Sequence, residues 1–98
     1  MKFLVLWRME LSLLSSEMAA AVARMPRYAG PLEERGVVIG RYHLVGQHGG
    51  AWIYDVGSNE ELERLLAMSP VYNFARYEVH PLAEMPDPVQ QEVPPANR

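Results

Sequence analysis

The chain contains no cysteine. That absence removes disulfide staples, thiolate metal sites and a cysteine nucleophile together, and it fits a cytoplasmic protein. An excess of basic charge is missing as well. Nine Lys and Arg stand against twelve Asp and Glu, for a net charge of −3, so the electrostatic footprint of a nucleic-acid surface is lacking. No stretch approaches ~18 uninterrupted apolar residues, so no membrane span is expected. The opening MKFLVLWRMELSLLSSEMAAA has the outline of a secretory leader, but Arg8 and Glu10 split its apolar run short, and an intracellular protein is the expectation. Three histidines with no His-x-His or Glu-x-x-His pairing also leave no expected metal site.

What the chain does have is enough apolar content to fold: 49% hydrophobic residues against 21% charged. Its 98 residues make one domain, which buries only roughly 60 to 65% of the surface its unfolded chain exposes. A partner subunit is therefore an expected source of stability.

Hydrophobic period orders the elements. Residues 2 to 9 (KFLVLWRM) read as a strand that is apolar on both faces, with Phe3, Val5 and Trp7 on one and Leu4 and Leu6 on the other. From Ser16 to Arg35, Met18, Val22, Met25, Ala29 and Leu32 keep the helical period through Pro26, Gly30 and Pro31. This predicts one kinked helix or two abutting ones, capped by Ser16 and ending at Gly36. Residues 37 to 45 (VVIGRYHLV) and 51 to 56 (AWIYDV) form a predicted hairpin around GQHGG. Ser58 and Glu61 make a capping box for a helix carrying Leu62, Leu65, Leu66 and Met68, which stops at Pro70. Residues 74 to 80 (FARYEVH) alternate as a last strand, with Phe74, Arg76, Glu78 and His80 on one face and Ala75, Tyr77 and Val79 on the other.

The order β-α-β-β-α-β is the ferredoxin-like arrangement, an α+β fold with two helices on one face of a four-stranded antiparallel sheet. The expected domain is 1–82, followed over 83–98 by a proline-rich tail, either a loose end or an extended arm. Because strand one is apolar on both faces, the bare face of the sheet is expected to be covered by a second copy, giving a homodimer or higher homo-oligomer.

Over roughly residues 1 to 85, the first strand, the long helix before Gly36, GQHGGAWIYDVGSNEELERLLAMSP and YNFARYEVHPL resemble the muconolactone delta-isomerase family. The resemblance implies a dimeric α/β barrel, sometimes built into decamers, that uses no cofactor and moves a proton on a small unsaturated lactone. Aligned back from Gly36, the family's acidic helical stretch falls on Arg24, Met25, Pro26 and Arg27, and its Trp-Arg pair falls on Tyr42 and His43. The resemblance so implies a more apolar pocket here, and a larger hydrophobic, aromatic or polyketide-like small molecule as substrate.

Several residues are candidates for chemistry. GQHGG lacks the lysine and hydroxyl of a phosphate loop and opens a strand rather than a helix, so it reads as a turn with His48 exposed. His43 lies mid-strand with Arg41 on its face, and an imidazole titrating near ~6.5 serves as acid and base at neutral pH. It is either that group or a sheet histidine. Tyr42 beside it can polarise a carbonyl. Glu78 is an alternative base, with Arg8 and Arg76 as substrate-binding partners, or these three form ion pairs. Strands one and four take different places in the fold, so Arg8 and Glu78 are not required to touch. Among the aromatics, mostly core, Tyr28 and Trp52 are candidates to line the pocket.

Three functions follow: a cofactor-independent isomerase or cyclase-like enzyme transferring a proton next to a carbonyl, a cofactor-free monooxygenase of polyketide phenols, or a non-catalytic protein that holds a hydrophobic ligand.

Overall fold

A computed structural model describes residues 1–86. Its elements are β1 (Lys2–Met9), a short 3-10 turn (Leu11–Leu13), α1 (Ser16–Ala23), α2 (Met25–Glu34), β2 (Val38–His43), β3 (Gly49–Asp55), α3 (Asn59–Ala67) and β4 (Ala75–Leu82). The four strands form one antiparallel sheet in the order β2-β3-β1-β4. With α1–α2 and α3 on one face, this is the ferredoxin-like α+β arrangement. The tail expected over 83–98 lies largely outside the described residues.

The long helical pattern resolves into two abutting helices that meet at Arg24, with Pro26 in the first turn of α2, where a missing N–H costs nothing. The N-cap of α1 is Ser15 rather than Ser16: the Met18 N–H donates to Ser15 Oγ at 3.1 Å. α2 ends as expected at Gly36, whose φ of +71° lets Val37 N–H reach the Leu32 carbonyl at 2.8 Å and Gly36 N–H reach that of Glu33 at 3.0 Å. For α3, Ser58 Oγ accepts from Glu61 N–H at 3.1 Å, while the Glu61 carboxylate reaches back to the Gly57 N–H at 3.3 Å, one residue before the usual partner.

The hairpin differs from its expected bounds. β2 stops at His43 and β3 starts at Gly49, so the turn is Leu44–His48 and Gly49 and Gly50 belong to the strand. Close packing explains it: a Cβ on residue 49 would collide with the Trp7 carbonyl oxygen, and one on residue 50 would sit 2.8 Å from Trp7 Nε1 and 2.9 Å from Trp52 Nε1. β4 runs on through Pro81 to Leu82, which an edge strand permits.

Alternation sorts the side chains. Phe3, Val5, Trp7, Val38, Trp52 and Tyr54 face the helices and are buried with Met25, Ala29, Leu32, Leu62 and Leu66. Val5 and Val71 are completely enclosed, each contributing about 1.5–3 kcal/mol by burial. One member of the predicted stripe, Val22, is left 41% exposed although Met18 and Met25 on either side are buried. The opposite sheet face carries Leu4, Leu6, Ala51 and Ile53, half-buried, with Tyr42, Arg8, Arg76, Glu78 and His80 around them.

Candidate functional site

A cleft lies between α1, α2 and the end of β2, and Val22 lines it. One lobe, of about 440 Å³, is bounded by Met25, Glu33, Arg41, His43, Gly50 and Trp52. A second, of about 620 Å³, is bounded by Leu11, Leu14, Met18, Gln47 and His48. Trp7, Val22 and His43 line both, so the lobes adjoin at these residues.

Register explains why Arg41 and His43 belong here. Arg41 pairs with Trp52 and His43 with Gly50, both on the helix-facing side of β3. The Arg41 guanidinium lies 5.4 Å above the Trp52 ring and its Nη2 is 3.3 Å from Glu33 Oε1. Trp7 Nε1 is buried and has no hydrogen-bond partner among the described residues, an unusual state for a donor removed from water. The indole rings of Trp7 and Trp52 meet edge to face at 6.1 Å.

The sequence-derived candidates separate into three groups. His43 and Trp52 meet in the cleft. Tyr28 lies deeper, stacked on Trp52, with its hydroxyl donating to the Leu65 carbonyl at 2.6 Å and 3.2 Å from the Tyr54 hydroxyl. That hydroxyl is committed to the core, and burial raises its pKa. Tyr42 reaches the cleft rim, but alternation turns its ring onto the other sheet face, against Gly40. Arg8, Arg76 and Glu78 also occupy that other face. There Glu78 accepts from His80 and stands 3.9 Å from Arg8 Nη1. Arg8 and Glu78, which the sequence does not require to touch, do meet, because β1 and β4 are neighbours in the sheet. Arg8 Nε also donates to Gln47 at 2.7 Å, and Arg76 Nε to Glu10 at 2.6 Å. His43 and Glu78 thus cannot share a site within one chain.

Glu33 and Trp7 line the cleft as well, beyond the candidates the sequence offers. Glu33 lies eight residues beyond Met25 and four beyond Ala29, on the edge of the same helical stripe, so helical phase carries the signal. For Trp7 nothing in the sequence reports that its N–H lacks a partner among the described residues. His48 is exposed in the turn as expected, and it also borders the second lobe. Among the described residues no cluster of His, Asp and Glu is arranged to hold a metal ion, and no helix is long and apolar enough to cross a membrane.

Comparison with known proteins gives a consistent result. The muconolactone delta-isomerase family profile matches residues 1–88. The chain is 35% identical over 68 residues to the Muconolactone Delta-isomerase of Cupriavidus pinatubonensis, covering 69% of this chain and 74% of that one. It is 31% identical over 70 residues to Muconolactone Delta-isomerase 1 of Acinetobacter lwoffii, covering 71% and 73%. A crystal structure of muconolactone isomerase shares the fold, with a TM-score of 0.78 at 21% identity over 91% of this chain and 95% of that one.

Proposed function

Since the chain belongs to the muconolactone delta-isomerase family, we propose that it is a cofactor-independent isomerase that shifts a double bond in a small, hydrophobic, unsaturated carbonyl or lactone substrate. The observation that carries this reading is the position of His43, an imidazole bordering both lobes of a largely apolar cleft.

In the proposed reaction His43 takes a proton from the carbon next to the carbonyl. The electron pair left behind delocalises onto oxygen as an enolate, and His43, now protonated, returns the proton at the far carbon of the conjugated system. The double bond moves, the imidazole ends neutral, and no electrons are gained or lost. Arg41, on the same face two residues away, is the cation nearest to this chemistry along β2, and the Glu33 carboxylate beside it offsets its field.

The bare sheet face supports a homodimer. Leu4, Leu6 and Ile53 form an apolar patch that a second sheet would cover, and Glu78, Arg8 and His80 would then lie between subunits. Glu78 and Tyr42 enter the reading there, as groups one subunit presents to its partner. Sedimentation analysis tests it, and a monomer at micromolar concentration rejects it.

The test of the isomerase is turnover of unsaturated lactones and hydrophobic enones, followed by loss of conjugated absorbance. His43→Ala should lower turnover by about 10²-fold or more, the usual weight of a general acid–base group, and leave substrate binding within a few-fold. Full turnover by the variant would refute the assignment, and oxygen uptake in the same assay would mark a monooxygenase instead.

A further inference from the structure

Two features of the second lobe have no part in the proton-transfer reading. The first is its polar border, where Gln47 stands with His43 and His48. The turn that carries Gln47 is held at both ends. Gln47 N–H donates to the Leu44 carbonyl at 3.0 Å around Gly46, whose φ is +78°, and Met9 N–H donates to the His48 carbonyl at 2.7 Å. The Gln47 side chain is held as well, since Arg8 Nε donates to its Oε1 at 2.7 Å. A guanidinium only donates, so the atom facing it is the amide oxygen, and the group left for the lobe is the NH2. The second feature is the uncovered apolar wall, where Leu14 is 73%, Leu11 53% and Val22 41% exposed.

From these we infer that Gln47 is a carbonyl-binding residue: its amide NH2, aimed by Arg8, donates to the carbonyl oxygen of a neutral enone or lactone whose hydrocarbon body lies against Leu11, Leu14, Met18 and Val22. This role for Gln47 deepens the isomerase reading and rests on it for the carbonyl compound being a substrate. His43 borders the same lobe, so the amide donor stands where enolate charge develops. Arg8 does not border the lobe and is a positioning residue. Its charge draws electron density toward the amide oxygen, which makes the NH2 a stronger donor.

Three properties of the lobe set the ligand class. Its volume of about 620 Å³ is that of a small-molecule pocket. No Lys, Arg, Asp or Glu borders it among the described residues, so a charged ligand would lie there without a partner, and the ligand is neutral. Leucine, valine and methionine side chains make up most of the remaining wall, which suits a hydrocarbon body.

Binding distinguishes this from turnover. A ligand-observed NMR titration of the full chain should show carvone, a neutral enone, binding about fivefold more tightly than limonene, the same skeleton without oxygen, as one added hydrogen bond provides. Perillate, the limonene skeleton with a carboxylate, should bind more weakly than carvone. Gln47→Met should keep limonene affinity within about twofold and abolish carvone's advantage, because the length is retained and the donor is lost. Arg8→Met should reduce that advantage to about twofold, and Arg8→Lys should return most of it. A loss of structure alone would weaken both ligands together. The inference is overturned if wild type binds carvone and limonene equally, if Gln47→Met or Arg8→Met retains the full preference, or if perillate binds as tightly as carvone. A chain that prefers carvone as described but isomerises nothing would remove the isomerase and leave the binding site. Isomerase activity without the preference would remove the role of Gln47 and leave the isomerase.

Discussion

Arg41 reaches across the open end of the cleft to Glu33, Nη2 to Oε1 at 3.3 Å, joining β2 to the last turns of α2. Both side chains are more than a third exposed, so the pair adds under about 1 kcal/mol to stability. Its larger effect is on charge, because it satisfies an arginine that would otherwise attract anions. Glu33→Gln should therefore leave the melting temperature nearly unchanged and tighten binding of a carboxylate probe such as naphthoate by about fivefold. Equal naphthoate affinity in the two proteins would show that Arg41 does not reach the ligand.

The glycines divide by what a methyl group would meet. At residue 49 it would strike the Trp7 carbonyl oxygen, backbone against backbone, where β1 and β3 pair. Gly49→Ala should cost about 3 kcal/mol or more. Gly30, inside α2, has nothing within 4 Å of that position and no positive φ. Gly30→Ala should stabilise by up to about 1 kcal/mol through helix propensity and a less flexible unfolded chain. Urea unfolding of the two variants should give opposite signs.

Much of this fold is legible because period and end signals agree. β1 alternates, the α1–α2 stripe holds phase across Pro26, Ser58 with Glu61 announces α3, and Gly36 closes α2. The hairpin bounds differ from the sequence pattern by two residues on each strand, because Gly49 and Gly50 look like turn glycines. Their true requirement, room for the Trp7 backbone and two indoles, arises only once β1 lies beside β3. The cleft was partly legible. His43 and Arg41 share a face by simple alternation, whereas Glu33 joins them through packing of α2 on β2. That Trp7 Nε1 has no partner among the described residues is a property of the assembled core that no spacing reports.

Tyr28 illustrates how burial redirects a residue that has the right chemistry for a pocket. Its hydroxyl satisfies the Leu65 carbonyl near the end of α3 at 2.6 Å and approaches Tyr54 at 3.2 Å. Tyr28→Phe leaves that carbonyl without its side-chain donor and should cost about 1–2 kcal/mol. Ligand affinity in the cleft should stay within about twofold, because the stacking face toward Trp52 is preserved. A large loss of affinity at unchanged stability would instead place the hydroxyl on the ligand.

The buried tyrosines also set an alkaline limit. Burial pushes the Tyr77 phenol from its ordinary 10 up to about 12, and it raises Tyr28 and, further, Tyr54 in the same direction. Between those values the unfolded chain gives up protons that the folded chain keeps. The associated stability is therefore fully present below pH 10 and is lost as pH rises toward 12. Melting temperature should be flat up to about pH 9 and then fall, with phenolate absorbance from these residues appearing together with unfolding. Tyr77→Phe removes one proton from the linkage, so its melting temperature, though lower at neutral pH after losing the bond to Ser69, should fall less steeply above pH 10. If the variant and the wild-type protein lost stability with the same slope, the Tyr77 hydroxyl would have to titrate in the fold as it does in water.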